Sequence, residues 1–138
     1  MITDLAAQRA MDRMKKVGVD ELTESERIVA AVWLFVAGVG NHGFIGYFKG
    51  SQGDLAFAAP DALRAIGAMR LAKIADDANR EFGAGGPPKN QKARKDAAAG
   101  LPESSRQAFA ALDRSYAACD EDVDDLLEAY LGRLGLEK

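Results

Sequence analysis

One run of residues constrains this chain more than any other. From Ile28 to Val39 the sequence reads Ile-Val-Ala-Ala-Val-Trp-Leu-Phe-Val-Ala-Gly-Val, twelve positions without a charge. That is too short to span a bilayer, which takes about 20 residues. At 100° per residue, Ile28, Val32, Phe35 and Val39 form one stripe, and Val29, Trp33 and Val36 form a second. A helix that is apolar on most sides is buried on most sides. The expected fold is therefore all-α: a compact multi-helix single domain, residues 1–138, around a central apolar helix over about residues 24–39. A chain of 138 residues fits one domain and can bury a core without disulfides or metals.

The flanking sequence supplies helix signals in order. Thr23-Glu24-Ser25-Glu26 has capping-box spacing ahead of the central helix. Met1 to Val17 reads as a helix with Ala7, Met11 and Met14 on one side, stopped by Gly18. Gly38, Gly40 and Gly43 are expected to break the central helix. Asn41 or His42 would then start a short one carrying Phe44, Tyr47 and Phe48. Gly50 to Gly53 is turn chemistry, with Asp54 placed to cap a helical piece over Leu55–Ala58. Pro60 suits the first turn of a helix over Asp61–Ala68, and Arg70–Phe82 forms another. Gly83 to Pro88 is a surface loop. A short helix follows from the Lys89–Lys95 segment to about Gly100. Pro102 opens a last helical stretch that runs to about Leu134 and breaks near Asp120.

That last stretch separates its faces. Phe109, Leu112, Tyr116, Cys119, Val123, Leu127, Tyr130 and Leu134 fall on one side. Asp113, Asp120, Glu121, Asp124, Asp125 and Glu128 fall broadly opposite. Residues 1–100 carry 14 Lys/Arg against 12 Asp/Glu, whereas residues 101–138 carry 4 against 9, so the acidity is concentrated at one end. A solvated acidic face is the commoner fate of such a run. The alternative is a binding surface for a basic protein, and the i, i+4 repeat of Asp120, Asp124 and Glu128 favours it, because exposed like charges at that spacing repel. Density limits the comparison with nucleic acid. Such a row places one charge per roughly 6 Å of axis, against about 1.7 Å for duplex DNA, so other helices would have to contribute acids nearby.

Chemistry is sparse elsewhere. Cys119 is the single cysteine and His42 the single histidine, too few for the usual metal sites. His42, Ser51 and Asp54 have the residue types of a triad but lack the Gly-x-Ser-x-Gly elbow. Gly83–Gly86 lacks the Gly-Lys-Ser/Thr ending of a phosphate loop. No catalytic residue, cofactor or metal is expected, and the reading is of a non-enzyme. The net charge of -3 argues against a general nucleic-acid binder. Lys89, Lys92, Arg94 and Lys95 form a local basic cluster that reads as solvated surface, as a phosphate contact, or as a match for the acidic stripe of another copy, giving self-association. The N-terminal residues alternate charged and apolar with no signal-peptide stretch, so the expected location is cytoplasmic, without membrane contact.

The segment Asn41-His42-Gly43-Phe44-Ile45-Gly46-Tyr47-Phe48-Lys49-Gly50-Ser51-Gln52-Gly53-Asp54 resembles the signature of a helical bacterial family of unknown function, named after the C-terminal domain of a DNA-mimic protein. The family pattern runs roughly Asn-x-Gly-Phe-x-Gln-Tyr-Phe-x-Asn-Ser-x-Gly-Asp, so Gly46 and Gly50 depart from it. Leu22-Thr23-Glu24, the Trp33 helix, Ala62 to Ala68, the Gly-Pro-Pro loop and Leu112 to Tyr116 extend the match in order, over roughly residues 20–132. The resemblance implies an all-helical domain without known enzymatic activity. It also implies a protein partner with a basic surface, such as a transcription regulator, rather than nucleic acid itself. The motif residues Trp33, Asn41, Gly43, Phe44, Tyr47, Phe48, Ser51, Gly53 and Asp54 read first as structural. The alternative is a small-ligand-binding or enzymatic domain with a pocket lined by Asn41, Tyr47 and Asp54.

Overall fold

The computed structural model describes residues 2–134. Seven α-helices follow in order: α1 Ile2–Val17, α2 Glu24–Lys49, α3 Ala59–Ala65, α4 Met69–Arg80, α5 Gln91–Ala99, α6 Glu103–Ala118 and α7 Val123–Arg133. Short 3-10 segments cover Val19–Glu21 and Ser51–Ala58. The described residues form no strand.

Helix α2 is the axis of the molecule, and α1, α3, α5, α6 and the second 3-10 segment all pack on it. Its start is the expected capping box. The Glu26 amide donates to Thr23 Oγ1 at 3.2 Å, and the Thr23 amide donates to Glu26 Oε1 at 2.9 Å. Glu26 also pairs with Arg13 of α1 at 2.6 Å, which ties the two helices together. By length and composition α2 is long and apolar enough to cross a membrane. Here its apolar positions are spent on the core, with Val29, Ala30, Ala31, Val32 and Phe35 almost fully buried.

The glycines of α2 act differently from the sequence expectation. The helix continues through Gly38 and Gly40 and is interrupted only at Gly43, at φ 70° and ψ 176°. Gly38 is a notch rather than a breaker. A Cβ there would lie 2.5 Å from Tyr47 Cδ1, so the missing side chain is the space the tyrosine ring fills. Asn41 and His42 sit on the exposed face before the kink and start no helix. Gly43 adopts a backbone that L side chains rarely adopt.

Beyond the kink, Phe44, Tyr47 and Phe48 are buried and pack back against the first part of α2 through Phe35. Phe35 meets Phe44 and Tyr47 edge-on at 5.9 and 5.6 Å between centroids. Phe48 meets Phe82 and Phe109 at 4.7 and 5.5 Å. Such pairs add about 0.5–1.5 kcal/mol each beyond area burial, so this aromatic block fixes how α2, the turn after α4 and α6 meet. Trp33, expected on a buried stripe, is 39% exposed.

Helix α3 ends earlier than the predicted Ala68. Gly67 has φ 88°, and the Ala68 and Gly67 amides donate to Leu63 O and Arg64 O at 2.9 and 3.0 Å, a Schellman ending. Helix α5 is capped by Asn90, whose side chain accepts from the Ala93 amide at 3.0 Å. The last stretch divides at Cys119–Asp122 into α6 and α7, as the sequence suggested. Leu127 and Leu131 of α7 are buried in the core, and α7 packs on α1.

Candidate functional site: an acid-rimmed groove beside Trp33

The Asn41–Asp54 motif is built around a residue outside it. Arg94 of α5 is completely buried. Its Nε donates to Phe48 O at 2.6 Å, and its two terminal nitrogens donate to Gly50 O at 2.7 Å, Asp54 Oδ1 at 2.8 Å, Lys89 O at 3.1 Å and Pro88 O at 3.2 Å. These five bonds use all five guanidinium protons. Gly53 makes the approach possible: a Cβ there would lie 2.5 Å from Tyr47 O and 2.8 Å from Arg94 Nε. The sequence placed Arg94 in a basic surface cluster and gave Asp54 a capping role. Both are corrected by this arrangement, in which the motif and the Gly-Pro-Pro loop wrap one guanidinium.

The motif's polar groups do not converge on a pocket. Asn41 is exposed, Asp54 is committed to Arg94, and Tyr47 is packed among the core rings. The Tyr47 hydroxyl is buried without a hydrogen-bond partner, and burial pushes its pKa well above the ordinary tyrosine value. No hydrogen bond among the described residues joins His42, Ser51 and Asp54. Of the basic cluster, Lys89 lies 4.5 Å from the centre of the Phe57 ring and Lys92 pairs with Asp96 on its own helix at 3.2 Å.

The six acids of the C-terminal stretch also divide. Asp113 is a distant helix cap: its Oδ1 accepts from the Phe44 amide at 2.8 Å, where α2 restarts after Gly43. Glu121 does the same for α4, which has no cap of its own, accepting from the Leu71 and Arg70 amides at 2.8 and 3.1 Å. Asp120 pairs with Arg70. That contact holds the Arg70 guanidinium above its ordinary pKa, the Asp120 hydrogen bond being the largest cause. Asp124, Asp125 and Glu128 have no ion-pair partner among the described residues. Asp122, which belongs to neither face of the helical stretch as read from the sequence, caps α7 by accepting from the Asp125 amide at 3.0 Å. Its Asp-x-x-Asp spacing is an ordinary N-cap signal. Because the chain leaves the helix between α6 and α7, Asp120, Asp124 and Glu128 are not one continuous helical row.

What the fold does bring together is a groove of about 460 Å³ between α2 and the α6–α7 link. Val32, Trp33 and Val36 line one wall. Tyr116, Cys119 and Leu127 add apolar surface, and Asp120, Glu121, Asp122 and Asp124 supply the acidic part of the lining, which contains no basic residue. Tyr116 is fixed by an edge contact with Phe35 and by its hydroxyl donating to Val36 O at 3.4 Å. Burial raises its pKa, with a smaller push from Cys119. Two features read separately from the sequence, the tryptophan of the central helix and the C-terminal acids, thus meet at one surface. Nothing local in the sequence signals that meeting, since it depends on how α6 and α7 cross α2.

The model of a protein family described as DMP19-like protein matches residues 20–133. No curated protein and no solved structure matches the chain.

Proposed function

The chain belongs to the DMP19-like protein family, and from that premise we propose that it is a non-catalytic, cytoplasmic protein-interaction domain whose acidic C-terminal surface engages a basic partner, in the manner of a DNA mimic. The partner is a protein that itself has a DNA-binding surface, such as a transcription regulator. The observation that carries this reading is the lopsided charge at the α6–α7 link: four carboxylates and no base line the groove. Asp125 and Glu128 extend the acid onto α7. Glu24 of α2 adds a further carboxylate close enough to raise the Tyr130 pKa, second to burial as a cause. The acids that support the reading thus come from α2, the link and α7 rather than from one helical row.

Binding of this kind weakens with salt, because exposed charges are screened beyond about 8–10 Å. The test is capture from a lysate of the source organism at low and high salt, with the intact protein and a variant carrying Asp122→Asn, Asp124→Asn, Asp125→Asn and Glu128→Gln. Asp113 and Glu121 stay untouched because they cap helices, and Asp120 because Arg70 already pairs with it. A DNA-binding protein retained at low salt by the intact chain and lost with the variant supports the reading. Retention that ignores both salt and these acids refutes it.

A further inference from the structure

We propose that the groove beside Trp33 receives an arginine side chain of the partner, its guanidinium lying over the indole and pairing with Asp122 and Asp124. This rests on the interaction reading above and goes beyond it, because an acidic surface can attract a basic protein without reading any single residue.

Three observations lead to the occupant. The first is the tryptophan. Trp33 is 39% exposed, while Val32 beside it on the same helix is at 1%. Tryptophan is among the most buried residues on average, and an exposed indole on a groove wall offers a flat π-face that attracts cations. The second is charge complementarity. The lining holds Asp120, Glu121, Asp122 and Asp124 and no base. Arg70 and the amides of α4 answer Asp120 and Glu121, which leaves Asp124 without an ion-pair partner among the described residues and Asp122 with only one oxygen used, in its helix cap.

The third is the mixture of the two. Val36, Tyr116 and Leu127 make part of the wall apolar, so the groove suits a side chain with an aliphatic stem and a charged, planar head. Arginine meets that description better than lysine. Its guanidinium stacks on an aromatic face and gives up hydration more readily than an ammonium, and its fork of donors can engage a carboxylate through two bonds. Arg70 already pairs through one guanidinium nitrogen with Asp120, which lines the same groove.

Trp33 is the only tryptophan, so its emission reports on this groove alone. The full chain is titrated with a short arginine–alanine peptide, a lysine–alanine peptide and a leucine–alanine peptide, at low and high salt. Fluorescence follows the native protein and calorimetry follows the variants. The expected result is a saturable emission change with the arginine peptide and affinity several-fold tighter than for the lysine peptide. Trp33→Leu should weaken arginine-peptide binding by about three- to tenfold. Asp122→Asn with Asp124→Asn should weaken it at least as much, because asparagine keeps the α7 cap while removing the charge. These two variants act at different points, so agreement between them separates the groove from general folding effects, which circular dichroism checks.

Equal affinity for the arginine and lysine peptides, insensitive to Trp33→Leu, overturns this inference and leaves the wider acidic-surface reading standing. A preference for the leucine peptide, or Trp33 emission that shifts with the protein's own concentration, overturns it by giving the groove to an apolar segment or a second copy. If neither basic peptide binds while a DNA-binding protein is still captured in an acid-dependent way, the inference fails alone. If that capture fails too, both fall.

Discussion

Replacing Arg94 by methionine tests whether the Asn41–Asp54 motif is held together by one buried guanidinium. Methionine fills much of the space but donates nothing, so Phe48 O, Gly50 O, Pro88 O, Lys89 O and Asp54 all lose a donor. Hydrogen bonds to a charged group contribute about 1.5–3 kcal/mol each. Five of them do not add, because acceptors near the surface recover water. Leaving a buried acceptor unpaired costs about 1–3 kcal/mol, and with part of that recovered by water the expected loss for the four carbonyls is about 3–5 kcal/mol. For a domain of this size it corresponds to a Tm lower by about 10–20 °C. The ion pair itself is the smaller part. Asp54 is 39% exposed, so it is partly screened and can be hydrated when its partner leaves. Asp54→Asn, which keeps an oxygen acceptor for Arg94, should cost only about 0.5–1 kcal/mol. Urea unfolding of the two variants beside the native chain measures the ratio directly. A loss below about 1 kcal/mol for Arg94→Met, or an equal loss for Asp54→Asn, would mean that the carbonyls are not the main acceptors.

The remaining stability predictions concern backbone and caps. Gly43→Ala places a Cβ 2.9 Å from Asp113 Oδ2 at a φ of 70° and should cost about 1–3 kcal/mol; unchanged thermal unfolding would mean that the kink relaxes freely. Glu121→Ala removes the cap of α4 and should cost about 0.5–2 kcal/mol, with amide exchange of Arg70 and Leu71 accelerated ahead of the rest of α4; uniform exchange along α4 would contradict the cap. The Glu26 carboxyl is held below its ordinary pKa, first by the Thr23 backbone amide. A folded-state pKa below the unfolded one means that its contribution is full above about pH 4.3 and is lost as pH falls through the folded value. The stability gap between the native chain and Glu26→Gln should therefore close in acid, and a gap that widens there would reverse the assignment.

Much of the helical framework was legible because its signals are local. The Ile28–Val39 run, the Thr23–Glu26 box, Pro60 and Pro102 each act within a turn or two, and the structure uses them as read. The misreadings share a different cause. Gly38, Gly40 and Gly43 look alike in sequence, yet only Gly43 breaks α2, because Gly38 is decided by a tyrosine nine residues away and Gly43 by an aspartate on α6. Arg94 was indistinguishable from its solvated neighbours Lys92 and Lys95, since nothing near it announces that four carbonyls and a carboxylate await it across the fold. Trp33 failed in the other direction. Its stripe is apolar, but α6 and α7 leave a gap over that part of α2, which a helical wheel cannot show.

The acids sharpen the same distinction, and they also show how to separate function from structure. Asp122, Asp124 and Asp125 lie at the cap and first turn of α7, where the helix dipole favours negative charge by about 0.3–1 kcal/mol per group. Their presence therefore has a structural explanation whether or not a partner exists. Glu128 has none of that support. It lies beyond the first turn of α7, four residues from Asp124, and no base pairs with it among the described residues. Its repulsion with Asp124 is worth a few tenths of a kcal/mol against the fold. Glu128→Gln should leave thermal stability unchanged or raise it slightly, whereas Asp124→Asn with Asp125→Asn should lower it. An acid kept at no benefit to folding is the one whose loss should weaken partner capture most per unit of stability. If Glu128→Gln destabilises the chain as much as the first-turn pair does, the acidic surface is explained by α7 alone, and the case for a basic partner loses its best-placed residue.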